Sequence, residues 1–228
     1  MYNSEHADRV WSFEAKKNAR EIIITGTGNN PELYEQSATG NLNFLRENSL
    51  VNENFTTLHI GCGNGRIEKY LSKEVRHCYG ADVSSKMVEL AYERCADSDN
   101  VTFEKNEGCD LPFLNDNSLD VAYSFFCFQH MPRECVKGYM KELNRVLKQG
   151  GKFLCQFQLY EERAIIENYQ DPDRDHPSDI RLYSIEQIES LANEYGFYIE
   201  KWVNRVEAEL DGKRRVYDCN IFPIFVKI

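Results

Sequence analysis

The sequence predicts an α/β protein built on a mostly parallel sheet with helices on both faces, and three observations carry that expectation. Short β-rich runs alternate with helical segments between residues 55 and 158, the pattern of strands joined by crossover helices. The first run, Thr56 to Ile60, ends abruptly in Gly61, Gly63 and Gly65. Glycines at that density allow positive φ and let a ligand approach the main chain closely. The second run ends in Asp82, where an acid at a strand tip would hold the ribose hydroxyls of a nucleoside.

Each element has its own signal. Residues 7–24 space apolar side chains with a helical period (Val10, Phe13, Ala19, Ile22, Ile23) and stop at a Gly- and Asn-rich stretch ending in Pro31. Pro31 opens a second helix, and residues 40–50 (Leu42, Phe44, Leu45, Leu50) form a third. Then follow strand 55–60, helix 64–73, strand 75–81, helix 84–96, strand 101–106, strand 119–125, helix 133–147 and strand 151–158. The helix expected at 64–73 would aim its free N–H groups at a ligand in the glycine loop. Ser184 with Gln187 reads as a capping box opening a helix over 184–195, with Gly196 at its end. Residues 197–210 and 213–228 are two further β-rich runs divided by Asp211-Gly212, a strong hairpin signal. Pro223 suits an edge or a bulge better than a central ladder position.

The glycine spacing argues against a dinucleotide site. That fingerprint is G-x-G-x-x-G, whereas this loop is G-x-G-x-G with Arg66 where the third glycine would stand. With the segments that follow it, the chain resembles the class I S-adenosylmethionine-dependent methyltransferases, in the branch that methylates small molecules. Residues 58–66 resemble that family's first motif and residues 80–88 its second. Residues 106–113 (Asn-Glu-Gly-Cys-Asp-Leu-Pro-Phe) are similar to its Gly-Asp-Ala-x-x-Leu-Pro-Phe segment, and residues 118–124 and 142–152 to its fourth strand and the turn before its fifth.

The resemblance covers about residues 55–158, with a weaker echo to 202. It implies a Rossmann-like sheet of seven strands finished by a C-terminal antiparallel hairpin. It also implies S-adenosyl-L-methionine as cofactor and S-adenosyl-L-homocysteine as product. The cofactor contacts it implies are Gly61, Cys62, Gly63, Asn64 and Gly65 in the loop, Asp82, Val83 and Met87 after the second strand, and Phe125 after the fourth. At the adenine end, Glu107 replaces the family's aspartate and ranks first, with the Gly108 N–H beside it and Asp110 as the competing acid. Gln149 stands where the family usually has proline before its Gly-Gly turn.

Composition is consistent with this reading. At 228 residues and 42% hydrophobic, the chain suits one domain with a substantial core. Residues 1–54 are expected to be a helical cap on the domain formed by 55–228. The formal charge of −10, from 37 acidic against 27 basic residues, disfavours a nucleic-acid partner, whose affinity rests on a basic face. The eight cysteines show no C-x-x-C pair and no histidine at ligand spacing, so no zinc site and no disulfide framework is expected. The amino terminus lacks the apolar core of a signal peptide, and no stretch approaches the roughly 18 apolar residues of a membrane span. A cytoplasmic protein is the expectation.

For the chemistry, His130 is the candidate general base. It follows the fourth strand, close to where a transferable methyl group would lie, and an imidazole is mostly neutral near pH 7. It either takes the acceptor's proton or packs against the cofactor. The polar insertion 159–183 is expected on the acceptor side, with Tyr160 and Glu161 as acceptor contacts and Tyr34 as a lid residue. Asp171, Asp173 and Asp175 have calcium-loop spacing, but His176 and Leu182 occupy the positions that need glycine and glutamate, so no metal is expected. The acceptor expected is a small molecule, with a sugar or metabolite hydroxyl first. A small amine, a protein, a nucleic acid or a non-catalytic binding role are the alternatives. Oligomeric state is open.

Overall fold

Strand β1 (Thr56–Ile60) pairs in parallel with β2 (His77–Asp82) on one side and with β4 (Leu119–Ser124) on the other. β3 (Val101–Lys105) lies beyond β2 and β5 (Leu147–Cys155) beyond β4, both also parallel. Strand order therefore reverses between β1 and β4, which opens a crevice at the carboxyl ends of the strands. The computed structural model describes residues 3–24, 26–159, 179–204 and 220–228. The Asp211-Gly212 turn, Cys219 and residues 160–178, with Tyr160, Glu161, His176 and the aspartates at 171, 173 and 175, lie outside them.

The sheet is finished by antiparallel strands. β9 (Asn220–Lys227) runs between β5 and β8 (Phe197–Asn204), antiparallel to both. Beyond Gln156, β6 (Phe157–Leu159) continues along β9, and the short β7 (Leu182–Tyr183) joins it in parallel. The nine strands of the described residues thus exceed the expected seven by β6 and β7. The β5–β9 and β6–β9 pairs share one register, which puts Pro223 opposite Cys155. β9 is an interior strand, so of the edge or bulge expected for Pro223 the edge is corrected. With no N–H to donate, Pro223 sits where the ladder between the two strands is interrupted. On its other side, β8 bulges between Ile199 and Lys201.

Two helix expectations also change. Helix α1 is Ser4–Ile23, but α2 runs unbroken over Pro31–Glu47 where two helices were expected. Gly40 is tolerated inside α2 because Tyr34, Ala38, Asn41, Leu42 and Leu45 bury one continuous face. That burial outweighs a glycine cost of about 1 kcal/mol. By contrast α3 is only Glu68–Leu71, not 64–73. Gly61, Gly63 and Gly65 all have positive φ, a conformation no right-handed helix contains, so the chain cannot enter the helix until it has left the loop.

The remaining helices are α4 (Ser85–Arg94), α5 (Arg133–Val146) and α6 (Ile185–Glu194). α6 carries the reciprocal Ser184–Gln187 capping box. One core face packs α5 and α6 against the sheet through residues such as Met140, Leu143, Ile188 and Phe153. The opposite face packs α2 and α3 through Leu42, Phe44, Ile67 and Leu71. Among the described residues, no helix is long and apolar enough to cross a membrane.

Candidate functional site

The glycine loop is tied to the neighbouring strand by its own backbone. Gly61 N and Cys62 N both donate to Ala81 O, at 2.8 and 3.1 Å. Gly63 N donates to Asp82 Oδ2 at 2.9 Å, and Ser84 N to Asp82 Oδ1 at 2.9 Å. Each carboxylate oxygen thus holds one backbone donor and keeps lone-pair capacity for another. Burial raises the Asp82 pKa, against the pull of those two N–H groups. At Gly61 a side chain would run into Cys127 Sγ, and at Gly63 a Cβ would lie 2.8 Å from Ile23 Cδ1. Cys62 is buried with Ala91, Cys95 and Phe103, and burial pushes its thiol far above the ordinary range, so it packs and does not react.

Tyr34, the expected lid residue, is fully buried and donates from its hydroxyl to Asn64 Oδ1 at 2.6 Å. Burial pushes that phenol to about 12, so it remains a donor. It braces the glycine loop from α2 and turns no surface to solvent. Past Asp82, Val83 is half-buried, while Met87 is buried in the first turn of α4.

Along the same edge, the segment after β3 separates its two acids. Asp110 Oδ1 accepts from Glu107 N at 3.3 Å, so this carboxylate closes its own turn. Glu107 points outward, 3.3 Å from Lys105 Nζ, and a hydrogen bond from Ser4 together with Lys105 holds its pKa down. Gly108, at φ +83, makes the turn between them. Asn106 is buried, donating to Asp110 O and to the Tyr139 hydroxyl, with its Oδ1 buried and unpartnered.

The end of β4 departs from expectation at Phe125. Its ring is enclosed by Phe44, Tyr123 and Phe222, in the core and not in the crevice. Phe126 follows with φ +57, a costly conformation for a bulky side chain, and its N–H donates to Gln156 Oε1 at 3.1 Å. Gln156 Nε2 donates to Asn220 Oδ1 at 2.7 Å and to Gln129 Oε1 at 3.3 Å. Gln129 Nε2 in turn lies 3.1 Å from His130 Nε2, and His130 Nδ1 lies 2.8 Å from the Asp179 carbonyl. A carbonyl only accepts, so Nδ1 carries the proton and Nε2 is the accepting nitrogen. Burial lowers the His130 pKa, which keeps the ring neutral at pH 7. Trp11 meets it edge-on at 5.9 Å between ring centroids.

α1 lies across this edge. Asp8 Oδ1 accepts from Ser85 N at 2.9 Å and from Ser12 Oγ at 2.7 Å, and Ser12 Oγ is 2.9 Å from Ser84 Oγ. Asp8 thereby caps the amino end of α4, where a negative group is favoured. The other described histidines lie elsewhere. His59 is buried against Glu68 at 2.7 Å, His77 meets Thr102, and His6 belongs to the first turn of α1.

The sequence reading missed Trp11, Gln129, Gln156, Asp179 and Arg181, which donates to His130 O at 2.8 Å. These come from α1, the 3₁₀ turn Phe128–His130 after β4, the break after β5 and the segment before β7, and share no local pattern. Asp8 and Ser12 did carry a signal, being polar residues four apart on one helix face.

A glycine loop locked to a strand-end acid, a second acid one strand over and a neutral imidazole at the switch point define a nucleoside-binding α/β domain. The residues fit an adenosyl group: Asp82 has acceptor capacity to spare, and Asn106 holds a buried, unpartnered acceptor in the segment after β3. Residues 58–155 match the family model described as a methyltransferase domain. Demethylmenaquinone methyltransferases from several strains of Staphylococcus aureus are 31% identical over 156 residues, 67% of this chain and 60% of theirs. The chain thus matches about 60% of the length of those relatives. Residues 58–155 are thus a methyltransferase domain of the class I S-adenosylmethionine-dependent kind.

Solved structures agree on the fold. Magnesium protoporphyrin IX methyltransferase (ChlM) from Synechocystis PCC 6803, described with bound SAH, superposes with a TM-score of 0.69 at 15% identity, covering 99% of both chains. YcgJ from Bacillus subtilis gives 0.63 at 18% identity, over 83% of this chain and 98% of its own. The [4+2]-cyclase SpnF gives 0.61 at 22% identity, over 75% and 60%. A cyclase on this scaffold shows that fold alone does not fix the reaction.

Proposed function

We propose that this protein transfers the methyl group of S-adenosyl-L-methionine to a small-molecule acceptor, with a hydroxyl oxygen as the first choice, releasing S-adenosyl-L-homocysteine. The observation that carries the hydroxyl reading is His130, held neutral with its accepting nitrogen defined by the Asp179 carbonyl. When bound, the cofactor supplies an electrophilic methyl group on a sulfonium sulfur.

In this reading Asp82 accepts from the ribose hydroxyls, Glu107 from the adenine amino group, and Gly108 N–H donates to the ring beside it. Cys62, Val83 and Met87 are apolar walls, and Gly61, Gly63, Asn64, Gly65 and the Phe125 backbone line the methionine end. His130 Nε2 takes the acceptor's proton as the oxygen attacks, once Gln129 Nε2 gives way. Tyr160 and Glu161 are proposed as acceptor contacts, and Trp11 offers a flat wall beside His130. Tyr34, buried on Asn64, acts through the loop and not on the acceptor.

A second reading has its own support. The Gln129 amide already occupies His130 Nε2. An uncharged amine acceptor needs no base, and alignment alone accelerates its attack. The two relatives' names, demethylmenaquinone and magnesium protoporphyrin IX methyltransferase, support a small molecule for this chain. The test is incubation with methyl-labelled cofactor and a panel of hydroxyl metabolites, nucleotide-linked sugars, amines, peptides and RNA. Label in a small hydroxyl compound supports the proposal, and transfer confined to peptide or RNA overturns it.

A further inference from the structure

A cleft of about 790 Å³ lies between the carboxyl half of α1 and the outer face of α4, with Asn64 of the glycine loop at its inner end. Its walls are strongly cationic in a chain of net charge −10. Lys16, Lys17 and Arg20 come from α1, and Lys69, Lys86 and Arg94 from the body, with Glu93 the one acid among the lining residues. Lys17, Lys86 and Arg94 have carboxylate partners in Glu14, Glu89 and Glu35. Lys16, Arg20 and Lys69 form no ion pair among the described residues. Arg94 also lines the cleft with its Nε buried and without a hydrogen-bond partner.

The backbone builds this wall deliberately. All of residues 15–20 line the cleft, although a straight helix turns consecutive residues to every side. α1 is broken at Asn18 (φ −164, ψ 95), whose Oδ1 accepts from Glu21 N at 3.2 Å and starts a new turn. The break swings Lys16, Lys17 and Arg20 onto the same opening. Cations facing cations across a gap repel unless an anion lies between them.

We propose that this cleft is a binding site for a small ligand carrying two or more phosphates, adjoining the adenosyl site at Asn64 and otherwise built from different residues. Lys16 and Arg20 on one wall and Lys69 on the other form no ion pair among the described residues, and cations on facing walls match a chain of phosphates better than a single one. Because the ligand would bridge α1 and α4, it would hold down the helix whose Ile23 covers Gly63. The site does not depend on the methyl-transfer reading.

The probe is inorganic triphosphate, titrated calorimetrically at fixed ionic strength into the full chain, with orthophosphate as comparison. One triphosphate per chain is expected, bound more tightly than orthophosphate. The Lys16→Ala, Arg20→Ala double variant should weaken it about 10- to 100-fold, as should Lys69→Ala from the opposite wall. Lys152→Ala, which removes a cation on β5, should leave it unchanged. Thermal melts without phosphate establish that the variants fold. Four results would overturn the proposal: no binding at millimolar triphosphate, equal weakening by Lys152→Ala, displacement by saturating S-adenosylhomocysteine, or tighter binding of single-stranded RNA through the same residues.

Discussion

Gly63 N–H donates to Asp82 Oδ2 at 2.9 Å, so the loop after the first strand and the acid ending the second are one unit. The position of the loop and the orientation of the carboxylate are thereby coupled.

Asp82→Ala should therefore act twice. It removes the proposed ribose acceptor, which should weaken S-adenosylhomocysteine by about 1.5–3 kcal/mol, and leaves two backbone donors unpaired, which should lower stability by about 1–3 kcal/mol. Calorimetry and thermal melting separate the two. In the wild type, the raised Asp82 pKa means that the carboxylate protonates at a pH above its ordinary 3.8. Affinity should be full at neutral pH and fall on acidification through that raised value; affinity independent of pH down to 3.8 would remove Asp82 from the ribose.

At the adenine end, Glu107→Gln keeps an acceptor and should bind cofactor better than Glu107→Ala. Asp110→Ala should act only indirectly, by freeing the Glu107 N–H. Strong weakening by Asp110→Ala with silent Glu107 variants would reverse the assignment.

His130→Ala should bind S-adenosylhomocysteine nearly normally and lose about 10²–10⁴-fold in turnover on a hydroxyl acceptor. Because burial lowers the imidazole pKa below 6.5, the rate should rise with pH through that lowered value and be flat at neutrality. Stability follows the same sign. The unfolded chain takes up the proton first as pH falls, so the His130 contribution is complete above pH 6.5 and is lost below it. A variant with wild-type turnover at saturation would leave the ring a packing role.

Gly63→Ala combines two penalties: φ +54, worth about 1–2 kcal/mol for an L-residue, and a methyl group against Ile23. Adding Ile23→Ala should relieve the contact and leave the backbone cost. Melting temperatures of the two single variants and the double variant report this as partial, not complete, rescue.

Asp8→Ala should release α1 from α4 at a cost of about 0.5–2 kcal/mol, the range for a lost helix cap. Burial raises the Asp8 pKa, but hydrogen bonds from Ser12 and Ser85 outweigh it and the net shift is downward. The latch is thus closed above pH 3.8 and opens only as pH falls through the lower folded value. Faster proteolysis within residues 3–24 of the variant at neutral pH is the measurement, and unchanged cleavage would mean other contacts hold α1.

What the sequence determined by itself are features written in neighbouring residues. The alternation of strands and helices, the Gly61–Gly65 loop, Asp82 at a strand tip and the Ser184–Gln187 cap each depend on a few adjacent side chains and on backbone sterics. Tertiary structure decided the rest. Whether Phe125 faces the crevice or the core depended on Phe44 and Phe222, which lie some 80 and 100 residues away along the chain. Pro223 became interior because β9 inserts between β5 and β8. The polar chain from Asn220 through Gln156 and Gln129 to His130 joins three segments. Such groups pair because burial makes an unpartnered polar atom costly, and only the assembled fold determines which partners lie within reach.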